Sequence, residues 1–116
     1  MPDNRESQLL KGVLPMLLLA LLSREESYGY ELVVRLQDAG LAGIAAGTVY
    51  PVLTRLERER LISSRLVPSR SGPARKYYRP TDAGSDALAE SAAAWRALAR
   101  TVEPLLHATP PREDDR

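Results

Sequence analysis

Hydrophobic residues recur at helical spacing in the first half of the 116-residue chain, and they predict three helices, over about residues 8–22, 28–39 and 46–60. The first is apolar nearly all round beyond Gly12. A helix without a solvent face must be covered on several sides, here by its own domain and by a second subunit. The other two are amphipathic, and Gly40 marks the end of the second. In the third, the inward positions are Val49, Val52, Leu53 and Leu56.

A different pattern follows the third helix. Residues 62–67 alternate between two faces, and residues 75–79 form a second short strand candidate. Gly72 and Pro73 lie in the connection, where they favour a turn. A two-stranded ribbon is marginal by itself in water, so we expect it to pack on the helices.

The last element is a long helix over residues 81–107. Thr81 is a favourable N-cap, and Asp82 lies in the first turn, where the helix dipole stabilises an acid. Its apolar positions are spaced 4-3-4-3-4, the pattern of helices that pair with one another: Leu88, Ala92, Trp95, Ala99, Val102 and Leu106. The remaining residues, 108–116, are rich in proline and charge, so we expect them to be disordered.

The order of these elements defines a fold class, mainly α with a small β-ribbon. Helix, helix, helix and ribbon make up a winged helix-turn-helix domain over residues 1–80, and residues 81–107 add a C-terminal dimerisation helix. In such a domain one helix enters the major groove of duplex DNA, and an adjacent cationic ribbon contacts phosphates or the minor groove.

Charge is distributed unevenly along the chain, although the net charge is only +1. Residues 55–79 hold eight basic residues against two acidic ones, a net +6, whereas the rest of the chain holds eight against thirteen, a net −5. A basic band on an acidic body fits a polyanionic partner such as double-stranded DNA. A solvated charged face is the alternative interpretation of this band.

Several classes of function are disfavoured by the composition. The chain has no cysteine and one histidine, His107, so it offers no thiolate site, and we expect no metal and no cofactor. It also lacks a phosphate-binding glycine loop and a nucleophile beside a base, which argues against an enzyme. The apolar run 13–22 is too short to span a membrane and lacks signal-peptide flanks. The sequence therefore predicts a cytoplasmic protein that does not contact the membrane.

Four motifs together resemble the PadR-type winged-helix transcriptional regulators, in particular the short, compact members of that family. They are YGYEL (28–32), GTVYPVLTRLE (47–57), LISSR (61–65) and GPARKYYRPTDAG (72–84), in the family's order. The resemblance covers roughly residues 8–106. It implies a homodimeric repressor of nearby genes, often relieved by a small aromatic or apolar effector.

The resemblance also implies roles for individual residues in DNA binding. On the third helix these are Thr48, Tyr50, Pro51, Arg55 and Arg58, and in the wing they are Arg70, Ser71, Gly72, Arg75 and Lys76. Tyr50 has an alternative role as a core tyrosine that packs against the wing. Alternation along the second strand turns either Tyr77 or Tyr78 inward, and we assign both a structural role.

The dimer that the resemblance implies involves the last helix, which reaches across to its mate, and the first helix. The candidate interface residues are Leu14, Leu18, Leu88, Ala92, Trp95, Ala99, Val102 and Leu106. Trp95 has two interpretations: a flat wall of an effector pocket beside Ala92 and Ala99, or ordinary interface packing. Twofold symmetry predicts an inverted-repeat operator with half-sites about one helical turn apart.

Two residues depart from the family pattern. Arg60 replaces the usual glycine between the third helix and the first strand, where a left-handed residue costs roughly 1 kcal/mol, so helix termination is expected to differ. Pro80 replaces an apolar strand residue, so the second strand is expected to stop pairing early.

Two alternatives to a DNA-binding repressor remain open on the sequence. A winged helix that serves only as a protein–protein interaction module, without operator recognition, would place the basic band against an acidic protein. A DNA-binding activator has the same sequence features as a repressor.

Overall fold

The computed structural model describes residues 4–107 of the chain. The elements are helix α1 (Asn4–Arg24), strand β1 (Ser27–Tyr28), helices α2 (Gly29–Asp38) and α3 (Ala46–Arg58), strands β2 (Ile62–Ser69) and β3 (Gly72–Pro80), and helix α4 (Asp82–His107). This is the predicted fold class, a mainly α winged helix with a small sheet and a long C-terminal helix. The expected disorder of residues 108–116 concerns residues outside the described range.

The sheet has three strands rather than the predicted two, in the order β1-β3-β2. The additional strand β1 has only two residues and pairs antiparallel with β3, Ser27 opposite Tyr78 and Tyr28 opposite Tyr77. Two residues are too few to produce an alternating pattern in a sequence. β1 connects α1 to the wing sheet, so the ribbon is supported on its inner edge by the helical body.

The core lies where α1, α2 and α3 meet the inner face of the sheet. Its buried side chains are almost all aliphatic: Leu14, Leu18, Leu19, Leu22, Leu32, Val33, Leu36, Ile44, Val49, Leu53, Leu56 and Ile62, with Tyr78 as the aromatic member. Leu14 and Leu18, which were predicted from the sequence to lie in a dimer interface, are 2% and 0% exposed within a single chain, so they pack in the chain's own core and have almost no surface left for a partner. The apolar circumference of α1 is explained largely by this core.

Arg35 holds the end of α1 in place. From the last turn of α2 it donates hydrogen bonds to the Leu21 carbonyl (2.9 Å), the Glu25 carbonyl (3.2 Å) and the hydroxyl of buried Ser27 (2.7 Å). The Leu21 carbonyl also accepts from the Glu25 N–H (3.2 Å), so Arg35 adds a second donor there. A cation at a helix C-terminus also complements the helix dipole. Arg35 lies at the edge of the buried face of an amphipathic helix, and the helical pattern alone does not identify its acceptors.

Helices α2 and α3 end in the same way. After α2, the Leu41 N–H donates to the Leu36 carbonyl (3.0 Å), and Gly40 adopts a φ of 128°. After α3, the Leu61 N–H donates to the Leu56 carbonyl (2.9 Å), with Arg60 at a φ of 63°. Both ends are Schellman motifs. The expectation that helix termination differs at Arg60 is therefore wrong, because the arginine adopts the left-handed conformation that glycine would occupy.

Pro80 remains in the sheet, opposite Ile62, so the expectation of early loss of pairing is also wrong. The Thr81 N–H donates to the Leu61 carbonyl (3.0 Å) one pair further on. Hydrogen-bonded and non-hydrogen-bonded pairs alternate in an antiparallel ladder, so Pro80 occupies a pair that requires no N–H toward β2. The strands are also longer than predicted and reach Ser69 and Gly72.

Candidate nucleic-acid interface

Helix α3 has one buried and one exposed face. Val49, Leu53 and Leu56 are buried in the core, because positions three and four apart share a helix face. The opposite face carries the predicted reading residues, all of them exposed: Thr48, Tyr50, Pro51, Arg55 and Arg58. Hydroxyl, phenol and guanidinium groups on one accessible face can contact base edges and phosphate oxygens together.

Tyr50 has a packing role as well as an accessible surface. Its ring lies against the first residue of α2, Gly29, where a Cβ would stand 2.5 and 2.7 Å from two ring carbons and 2.8 Å from the hydroxyl oxygen. The side chain is still 43% exposed. The ring therefore packs on α2 and fixes the position of α3 relative to α2, while part of the ring remains available to a ligand.

The tip of the wing is a two-residue turn. Ser69 pairs with Gly72, and Arg70 and Ser71 lie between them, exposed at the end of the ribbon. The Ser71 N–H donates to the Ser69 hydroxyl (3.4 Å). Within residues 4–107, neither Arg70 nor Arg55 takes part in an ion pair, so both guanidinium groups are available to phosphates.

Arg75 lies on the outer face of the sheet. Its guanidinium carbon is 4.5 Å from the centre of the Tyr28 ring, and the Tyr28 and Tyr77 rings meet edge to face at 5.3 Å. Arg65, on the same outer face, forms an ion pair with Glu26. The hydrogen bond to Arg65 holds the pKa of Glu26 below its usual range. These aromatic and ionic contacts fix the sheet to the segment that precedes α2.

Lys76, the next residue, points the other way, because successive side chains on a strand alternate between faces. Its ammonium nitrogen donates to a Glu57 carboxylate oxygen (2.7 Å), and the Ser64 hydroxyl donates to the other oxygen (2.5 Å). These hydrogen bonds, the one from Lys76 first, lower the pKa of Glu57, and the bond to Glu57 raises the pKa of Lys76. No local pattern in the sequence indicates this pairing, because the two residues belong to different elements.

The two tyrosines of β3 differ in burial. Tyr78 is 6% exposed and belongs to the core, and burial raises its pKa. Tyr77 is half-buried on the outer face against Tyr28. Both contacts are structural, which agrees with the role we predicted for the pair.

Helix α4 presents a largely exposed apolar face. Of the predicted interface positions, Leu88 packs at the edge of the core and Ala92 and Ala99 are half-buried. Trp95, Val102 and Leu106 are exposed, and so is Leu98 between them. The structure thus separates the eight predicted interface residues into two core residues on α1 and a mostly accessible set on α4.

Metal sites and membrane spans are two further features that bear on function. The described part of the chain contains no cluster of side chains suited to hold a metal ion. In the same residues no helix combines the length and the apolar character that a bilayer span requires.

Comparison with known proteins places this geometry in a family. The model of the transcriptional regulator PadR-like family matches residues 18–90. A PadR-like transcriptional regulator from Bacillus cereus is 42% identical, with a TM-score of 0.79 over 88% of this chain and 99% of that one. A PadR-family regulator from Eggerthella lenta is 41% identical, with a TM-score of 0.81 over 90% and 91% of the two chains.

A transcriptional regulator of Mycobacterium tuberculosis is 46% identical over 61 residues, which are 51% of this chain and 54% of that protein. The family is one of transcriptional regulators rather than of enzymes. Because the family model matches more than half of its residues, the chain belongs to the PadR-like family and is a DNA-binding transcriptional regulator.

Proposed function

We propose that the protein is a cytoplasmic homodimeric repressor that binds an inverted-repeat operator. The observation that carries this proposal is the accessible face of α3 beside a wing whose tip presents Arg70, an arginine without an ion-pair partner among residues 4–107. The α3 face would lie in the major groove, where Thr48, Tyr50 and Pro51 meet base edges. Arg55 and Arg58 would contact phosphates, and the wing residues Arg70, Ser71 and Gly72 would follow the adjacent backbone.

Dimerisation would bury the apolar face of α4. Trp95, Leu98 and Val102 are 51%, 58% and 38% exposed, and Leu106 is 62% exposed. Full burial of a large apolar side chain contributes roughly 1.5–3 kcal/mol, so four such residues from each subunit support a stable helix pair. Light scattering on the purified protein should give twice the mass of the 12.8 kDa chain. If the protein has the mass of a monomer at micromolar concentration, pairing through α4 is contradicted.

Operator recognition is tested by fluorescence anisotropy. A labelled duplex from the region upstream of the protein's own coding sequence is titrated at two salt concentrations, against a scrambled duplex of equal length. A specific site should bind at least about a thousandfold more tightly than scrambled DNA. Equal competition by the two duplexes contradicts operator recognition and favours the protein–protein interaction module.

Relief by an effector is the second part of the proposal. Trp95 lies between half-buried Ala92 and Ala99, whose small side chains leave room beside the indole ring for a planar apolar molecule in the dimer. Tryptophan fluorescence should be quenched by at least one member of a panel of planar aromatic compounds, and the same compound should release labelled DNA. If no compound in a diverse panel changes the fluorescence, Trp95 serves interface packing only.

A further inference from the structure

One carboxylate joins the DNA-reading helix to both long strands of the wing. Glu57 lies in the last turns of α3, and its two oxygens accept hydrogen bonds from Lys76 of β3 (2.7 Å) and Ser64 of β2 (2.5 Å). The Glu57 side chain is 31% exposed and the Lys76 side chain 49% exposed. This cluster of Glu57, Ser64 and Lys76 is a polar contact that fixes the wing against α3.

The position of Lys76 differs from that of the other wing cations. Its ammonium nitrogen is 5.6 Å from the centre of the buried Tyr78 ring, so it lies on the core side of the sheet. Arg75 is directed to the opposite face, and Arg70 is exposed at the tip. Within residues 4–107, the charge of Lys76 is therefore already matched by a carboxylate, whereas the guanidinium of Arg70 is not.

Glu57 also poses an electrostatic problem for a DNA-binding helix. A carboxylate on α3 would repel the phosphates beside the groove, and Lys76 offsets that charge at the point where it arises. Two hydrogen bonds from separate strands also restrict the angle between the helix and the ribbon. The position of α3 in the groove then determines where the wing tip meets the DNA backbone.

We propose that Lys76 is a positioning residue for operator recognition, acting through Glu57, rather than a phosphate contact as the sequence led us to expect. This inference rests on the proposed function, in which α3 and the wing bind DNA together. Recognition helix and wing must be placed correctly at the same time to read an operator, whereas non-specific binding needs only free cations.

The two roles of Lys76 predict opposite effects of Glu57→Gln. If Lys76 positions the wing, removal of the carboxylate charge loosens the cluster and weakens operator binding, by about tenfold. If Lys76 is instead a phosphate ligand partly withheld by Glu57, the same substitution releases it, and binding to both operator and scrambled DNA becomes tighter.

The experiment compares four variants, Glu57→Gln, Lys76→Met, the double substitution and Arg70→Met, by anisotropy on operator and scrambled duplexes across a salt series. The double variant keeps the net charge of the wild type. We expect its operator affinity to fall no further than that of either single variant, with scrambled-DNA affinity within about twofold of wild type and an unchanged salt slope. Arg70→Met should lower the slope by about 0.9 for each phosphate that a subunit no longer neutralises.

The proposal is overturned if Lys76→Met lowers the salt slope as much as Arg70→Met, or if Glu57→Gln tightens binding. Amide hydrogen exchange on the DNA-free protein decides the question independently of any operator. Exchange across residues 62–80 should be faster in Glu57→Gln and in Lys76→Met but not in Arg70→Met, and equal exchange in all three refutes positioning. A failure of the wild type to prefer operator DNA would instead contradict the proposed function alone.

Discussion

Substitution of Gly84 by alanine should separate α4 from the segment that follows α3. A Cβ at Gly84 would lie 1.9 Å from the Leu61 carbonyl oxygen and 2.9 Å from its carbon, which is backbone and not a flexible side chain. Neither side can yield easily, because the Leu61 N–H bonds the Leu56 carbonyl and the Leu61 carbonyl accepts from Thr81. The first turn of α4 must therefore move away.

The size of the effect follows from the interactions that this movement breaks. Two hydrogen bonds break, from the Thr81 N–H to Leu61 (3.0 Å) and from the Thr81 hydroxyl to Arg60 (2.7 Å), at about 1 kcal/mol each. Half-buried Ala87 and Leu88 lose about 1–2 kcal/mol of packing against the core. The higher helix propensity of alanine offsets this loss of stability by about 1 kcal/mol. The free energy of unfolding should fall by about 2–3 kcal/mol.

Urea unfolding followed by circular dichroism, at one fixed protein concentration, measures this change. In a separate thermal unfolding experiment, the melting temperature should fall by about 10 °C for a chain of this size. Gly12→Ala is the matched control, since Gly12 also lies in a helix but a Cβ there meets nothing within 4 Å. That variant should be up to about 1 kcal/mol more stable than wild type. If Gly84→Ala behaves like Gly12→Ala, the inferred contact between α4 and Leu61 is refuted.

Three further predictions concern single residues. Arg60→Gly should raise the free energy of unfolding by about 0.5–1 kcal/mol in urea, because glycine adopts the observed φ of 63° without strain; a decrease in stability would contradict this. Arg35→Met should lower it by about 2–3 kcal/mol, because three hydrogen bonds from the guanidinium to the segment at the end of α1 are lost; a neutral result would show that water replaces the guanidinium. Hydrogen bonds lower the pKa of Glu57 in the folded protein. The contribution of ionised Glu57 to the free energy of unfolding is therefore complete above the Glu57 pKa of the unfolded state, and it disappears as the pH falls through the Glu57 pKa of the folded state. The difference in the free energy of unfolding between wild type and Glu57→Gln should accordingly shrink as the pH falls from neutral to below the ordinary glutamate pKa. A constant difference would exclude the ionised carboxylate as its source.

Local patterns in the sequence determined much of the architecture. Helical spacing predicted α2, α3 and α4, and alternation with turn residues predicted the ribbon, because these signals arise from neighbours within a few positions. The exposed face of α3 followed from the same spacing, as Val49 and Leu53 turn inward and Thr48 and Pro51 outward. Motif order indicated the family, which the comparisons confirmed.

Only the tertiary structure decided which groups meet across distant segments. The pairing of Glu57 with Lys76, the Arg35 cap on α1 and the strand β1 depend on how elements pack, and no local pattern encodes them. The apolar surface of α1 was ambiguous for the same reason: a hydrophobic residue can be covered by its own chain or by a partner, and only the packed core showed that Leu14 and Leu18 are covered by their own chain. Sequence supplies the faces of helices and strands, and packing determines what each face contacts.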